Sequence, residues 1–136
     1  MTGIRSYRDL VAWQRAMDLA ASVYALTKHW PREELYGMTS QTRRAAVSVA
    51  ANIAEGYGRD NLGSYLQFLR IAQGSLKELE THLLIAKRVG VAEDVEAILD
   101  AADQSRKSVG WAHPKADGVE RMNPRCPLPI AYCLNG

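Results

Sequence analysis

Seven cations pose the first chemical question. Arg43, Arg44, Arg59, Arg70, Lys77, Lys87 and Arg88 lie between positions 43 and 88 of a 136-residue chain. Guanidinium and ammonium groups bind phosphate oxygens, and such contacts release counterions and depend steeply on salt. Tyr57, two residues before Arg59, adds a ring on which a base could stack. These seven residues are the candidate nucleic-acid contacts. The competing reading pairs them inside the protein, Arg44 with Glu55 and Lys77 with Glu78 or Glu80.

Other reactive residues form no constellation. His29, His82 and His113 are far apart in sequence. Glu78 and His82 stand one helical turn apart, but a di-iron bundle needs Glu-x-x-His twice with further glutamates. Cys126 and Cys133 fit neither a disulfide framework nor a four-ligand zinc site. Gly56-Tyr57-Gly58-Arg59 follows a helical pattern, whereas a phosphate loop precedes a helix. The expectation is a protein that is no enzyme and takes no cofactor and no metal.

The cations must be positioned by helices. Leu10, Trp13, Met17, Ala20, Tyr24 and Thr27 recur at 3, 4, 3, 4, 3, a helical seam. Ser6 and Asp9 make a plausible cap before it, and Pro31 ends it. A second helix starts at Thr39 or Ser40 and runs to Glu55, with Gly56 placed as a left-handed cap. Asp60 or Asn61 caps a third, whose seam runs from Leu62 through Tyr65, Leu69, Ala72, Leu76, Leu79 and Leu83 to Ala86. Val91, Val95, Ile98, Ala102 and Ser105 mark a fourth. The spacing predicts helices over 8–30, 39–56, 61–89 and 92–108 and no strand. The fold is all-α, an up-down antiparallel four-helix bundle over 1–108. An irregular tail with four prolines occupies 109–136.

The second helix raises a question of its own. Ten uncharged residues separate Arg44 from Glu55, too few to span a bilayer. No apolar leader opens the chain, so a cytoplasmic protein without a membrane partner is expected. On a wheel, Gln41, Arg44, Ser48, Asn52 and Glu55 form a polar stripe about 80° wide. Thr42, Ala45, Ala46, Val47, Val49, Ala50, Ile53 and Ala54 cover roughly 200°, more than one bundle face requires. The surplus predicts a contact between copies of the chain, with Ala46, Val47, Ala50, Ala54 and Tyr57 as interface candidates. Net charge is only +2. Symmetry would multiply a small local surplus into a ring of charge.

Three stretches carry a resemblance: "YRDLVAWQRAMDLAASVYALT", "LYGMTSQTRRAAVSVAANIAEGYGR" and "YLQFLRIAQGSLKELETHLLIAKRVG". Over roughly residues 6–90 the chain resembles the bacterial 23S rRNA intervening-sequence proteins. The resemblance implies a four-helix bundle and a ring-shaped homopentamer. It extends to the accessory proteins of diversity-generating retroelements, which bind a reverse transcriptase and nucleic acid through basic surfaces. The family often carries proline near position 50; "SVAANIAEG" has none, so no kink is expected there. The segment after Ser108 does not resemble the family. The expected function is a non-enzymatic accessory factor that binds RNA or DNA through repeated basic surfaces. The alternative is a ring-shaped adaptor for a protein partner, without nucleic-acid binding.

Overall fold

A computed structural model describes residues 4–111. The order is a 3-10 turn at Tyr7–Asp9, α1 Val11–Thr27, a 3-10 turn at Arg32–Glu34, a π turn at Leu35–Thr39, α2 Ser40–Tyr57, α3 Leu62–Arg88 and α4 Glu96–Trp111. Among the described residues there is no strand. α2 packs between α1 and α3, and α4 closes the square against the same two helices. The fold is the up-down four-helix bundle that the seams predict. Of the expected tail, 109–111 continue α4; the rest lies outside the described residues.

The caps show why these segments fold locally. Ser6 and Asp9 form a full capping box on the 3-10 turn before α1. The backbone N–H groups of Arg5 and Ser6 donate to Asp9 and hold its carboxyl below the usual carboxylate range. Asn61 Oδ1 accepts the Ser64 N–H at 2.8 Å and starts α3. Gly90, at φ 81°, ends α3 with the paired bonds of a Schellman motif. Val91 N–H donates to the Ala86 carbonyl at 2.9 Å, and Gly90 N–H to that of Lys87 at 3.3 Å. Between α1 and α2, the Glu34 carboxylate accepts the Met38 N–H. α2 then runs unbroken to Tyr57, as the missing proline predicts.

The third seam is buried as expected from Tyr65 to Ala86, with Leu62 half-buried at its start. The first is not. α1 buries Leu10, Ala12, Ala16, Leu19, Val23 and Thr27. Met17 and Tyr24 are 45% and 47% exposed, and Trp13 and Ala20 are half-buried. The helix is rotated so that small Ala12 and Ala16 enter the core. Small residues let backbones approach, and the bulkier Met17 and Tyr24 stay outside.

Gly56 also corrects the sequence reading. It is an interior residue of α2, not a left-handed cap, and Gly58 ends the helix at φ −75°, ψ −3°. A Cβ at Gly56 would lie 2.6 Å from Phe68 Cβ and 3.1 Å from Tyr65 Cδ2. Gly56 is there so that α3 can pass closely. Gly74, in the exposed middle of α3, would place a Cβ in open space. Two opposite results are therefore expected in urea melts. Gly74→Ala stabilises by about 0.5–1 kcal/mol through helix propensity. Gly56→Ala destabilises by a net ~1–2 kcal/mol, since overpacking exceeds the same propensity gain.

Candidate nucleic-acid interface

α2 and α3 carry all seven candidate cations except Arg59, which follows the α2 cap. The antiparallel register of the two helices is fixed by small polar groups. Ser48 and Ser75 share a hydroxyl hydrogen bond at 2.8 Å, and Asn52 Nδ2 donates to the Ser48 carbonyl and hydroxyl at 2.8 and 2.9 Å. Part of the polar stripe of α2 is thus turned toward α3, while Gln41, Arg44 and Glu55 face outward.

The seven cations fall into distinct environments. Arg43 is half-buried between α1 and α2. Its Nε donates to Thr27 Oγ1 at 2.8 Å, and its guanidinium lies 4.6 Å above the centre of the Tyr24 ring. Thr27 in turn donates its hydroxyl to the Val23 carbonyl at 2.8 Å, which fixes the oxygen that Arg43 uses. Arg59 pairs with Glu55 at 2.8 Å and lies over Phe68 at 4.9 Å. Lys87 bonds Glu96 at 2.7 Å, and that carboxylate holds its ammonium above the usual lysine range. Arg44, Lys77 and Arg88 are exposed and carry no ion pair among the described residues. The pairings that the sequence suggested for Arg44 and Lys77 do not form. Glu55 turns to Arg59 instead, four residues on and just past the end of α2.

On α3 the geometry adds order. Arg70, Lys77 and Arg88 stand 7 and 11 residues apart, which places them within about 20° of one another on the helix wheel. The intervening outermost positions are Gly74, Thr81 and Leu84, all exposed. The row spans about 27 Å along the axis and contains no carboxylate. The α4 side is different: Asp103 bonds Arg106 and Lys107, which hold its carboxyl below the usual range.

Beside the row lies an open groove of about 720 Å³. Tyr24 of α1, Gln41, Arg43, Arg44, Val47 and Ser48 of α2, and Glu78 of α3 line it. Tyr24 is a site residue that sequence reasoning assigned to the core. The signal that could have found it is the second periodic apolar stripe of α1, through Ala12, Ala16, Leu19 and Val23.

The interface candidates divide as well. Ala46 and Ala50 are buried in the chain's own core at 0% and 5% exposure, so they are not available to another subunit. The core takes the arc from Ala45 through Val49, Ile53 and Ala46 to Ala50. What remains outside is Val47, 44% exposed, with Ala54 and Tyr57 half-buried. Exposed Ala51 joins them, a residue the sequence reading omitted. Val47 and Tyr24 belong to the groove, and the Tyr57 ring packs edge-on against Tyr65 of α3; Ala51 and Ala54, with Met17 of α1, are left as apolar surface beyond the groove.

His82 is half-buried, with Nε2 3.8 Å from Glu78 Oε1. Its Nδ1 is buried with no hydrogen-bond partner among the described residues. Among the described residues, no three or more His, Cys, Asp or Glu side chains gather as a metal site. Burial between helices pushes the Tyr65 phenol well above the usual phenol range. No helix of the described residues is long and apolar enough to cross a membrane.

The fold and this surface define an all-α four-helix bundle with a row of exposed cations on α3. The chain belongs to the 23S rRNA-intervening sequence protein family, whose sequence profile matches residues 8–109. A crystal structure of a protein of unknown function from the S23 ribosomal protein family of Bacteroides thetaiotaomicron superposes with a TM-score of 0.65. The two are 21% identical, and the match covers 73% of this chain and 94% of that one. At that identity the likeness concerns the fold. No curated protein sequence matches this chain.

Proposed function

We propose that this protein is a non-enzymatic, cytoplasmic, homo-oligomeric accessory factor that binds RNA or DNA through repeated basic surfaces, with five copies in the assembly. The observation that carries the reading is the set of exposed cations on α2 and α3, Arg44, Lys77 and Arg88, which carry no ion pair among the described residues, with Arg70 in the same α3 row. Phosphate binding needs several such cations on one rigid face, and identical subunits would multiply them at high effective concentration. The apolar surface beyond the groove supports the assembly half of the reading. Ala51 and Ala54 are small enough for another helix to approach closely. Light scattering is expected to give a particle several times the 15.1 kDa chain mass.

Two substitutions test the assembly. Ala51→Glu and Ala54→Glu are expected to keep native helicity, since both positions lie outside the core. Each would place a charge in an apolar contact at a cost on the order of 3 kcal/mol, roughly a hundredfold in association constant. A wild type that is monomeric at all concentrations, or variants that assemble as well as it does, would remove the interface from this surface.

Tyr36, 93% exposed beside exposed Leu35, favours the adaptor alternative. Those residues offer a protein an apolar hold at one end of the bundle. Retention of a protein after nuclease treatment, with no shift of RNA or DNA at low salt, would select that reading.

A further inference from the structure

The groove between Tyr24, Arg43 and Arg44 has a construction that simple charge neutralisation does not require. Arg43 is held in place three ways: by Thr27 Oγ1 at its Nε, by the Tyr24 ring beneath it, and by half-burial between two helices. Thr27 is only 2% exposed and is itself bonded to α1. No hydrogen bond in the described residues uses the Nη atoms of Arg43. The side chain is therefore an oriented, flat cation with donors to spare. Arg44, the next residue, is exposed and has no ion pair among the described residues, so a second cation reaches the same groove.

We propose that the groove holds one nucleotide of a single-stranded nucleic acid. The base stacks against the Arg43–Tyr24 pair, and its phosphate sits on Arg44. This inference rests on the nucleic-acid reading and gives it a location. Single strands are bound by stacking bases on aromatic rings or guanidinium planes while cations follow the backbone. A volume of about 720 Å³ leaves room for a base and its sugar-phosphate. An acidic peptide would use the two charges but not the flat pair. Glu78 on the α3 side opposes any anion in the groove, so its neutralisation has a predictable sign.

The test compares a fluorescently labelled 12-nucleotide RNA with an abasic 12-mer of equal phosphate count, by anisotropy at low salt. Wild type is expected to bind the abasic strand about tenfold more weakly. Tyr24→Ala should cost about tenfold on the base-bearing strand and little on the abasic one, while Tyr24→Phe stays near wild type. Arg43→Lys keeps the charge but loses the plane, and should follow Tyr24→Ala. Arg44→Ala should weaken both strands alike and lower the salt slope. Glu78→Gln should tighten both by about twofold. Helicity and particle size are checked for each variant. If Tyr24→Ala disturbs either, the abasic comparison, Tyr24→Phe and Arg43→Lys decide. Equal binding of the two strands by wild type would overturn the groove but leave salt-dependent binding elsewhere on the surface intact. Binding of neither strand at low salt would sink both readings. Displacement of the RNA by oligo-glutamate of matched charge would assign the groove to an acidic protein segment instead.

Discussion

Ala46→Glu is expected to unfold the chain rather than to dissociate its assembly. Ala46 is fully buried on the core side of α2, at 0% exposure. A glutamate there must either ionise in the core or break the packing of two helices to reach water. Burying an unpaired charge costs about 4 kcal/mol or more, a large share of the 5–15 kcal/mol that stabilises an ordinary domain. Loss of cooperative urea unfolding and of helicity by circular dichroism is the expected outcome. Val47→Glu, the next residue but 44% exposed, is the control that should keep its fold. A folded Ala46→Glu protein with a wild-type melt would mean that α2 turns its other face inward.

That contrast shows how far the sequence can be read. Composition placed Ala46, Val47 and Ala50 in one apolar arc, and nothing in residue type separates them. Only the angle at which α2 meets α1 and α3 does. The same ambiguity misplaced the α1 seam. Trp13, Met17 and Tyr24 look like core by size, but α1 carries two overlapping periodic stripes. Packing selected the one with Ala12 and Ala16, where close approach is possible. α3 left no such choice. Its leucines occur at a single 3–4 spacing with polar residues opposite, so its buried face was legible throughout. The caps were legible where a side chain or a positive φ does the work, as at Ser6, Asn61 and Gly90. Gly56 was misread because a glycine needed for helix contact looks, in sequence, like a glycine needed for a turn. Its partner Phe68 is on another helix, and no local rule brings the two together.

The candidate site was legible as a set of residues but not as a pattern. All seven cations were identifiable by type. Which of them are free was not: the reading offered Glu55 to Arg44, about 16 Å away along the helix, whereas Arg59 stands one turn from it. Arg59 pairs with Glu55 and Lys87 with Glu96, whereas Arg44, Lys77 and Arg88 are unpaired among the described residues. This division ranks the cations by their expected contribution to binding.

Removing the three unpaired cations together, in Arg44→Ala/Lys77→Ala/Arg88→Ala, should therefore have the largest effect on nucleic-acid binding. Each phosphate contact on a single strand contributes about 0.7 to the slope of log affinity against log salt. Three lost contacts lower that slope by about 2 for each subunit touching the strand. At low salt the affinity should fall on the order of 100- to 1000-fold, because contacts repeated on one particle reinforce one another. All three positions are exposed, so helicity and particle size should stay unchanged. Arg59→Ala/Lys87→Ala is the matched comparison. Those two cations already face carboxylates, and removing them frees Glu55 and Glu96 without taking away an open phosphate site. Their loss should cost less than about tenfold. A salt titration of both variants, read by anisotropy, separates the cases. Wild-type affinity in the triple variant, or a larger loss in the paired double variant, would place the binding face elsewhere than the α2–α3 row.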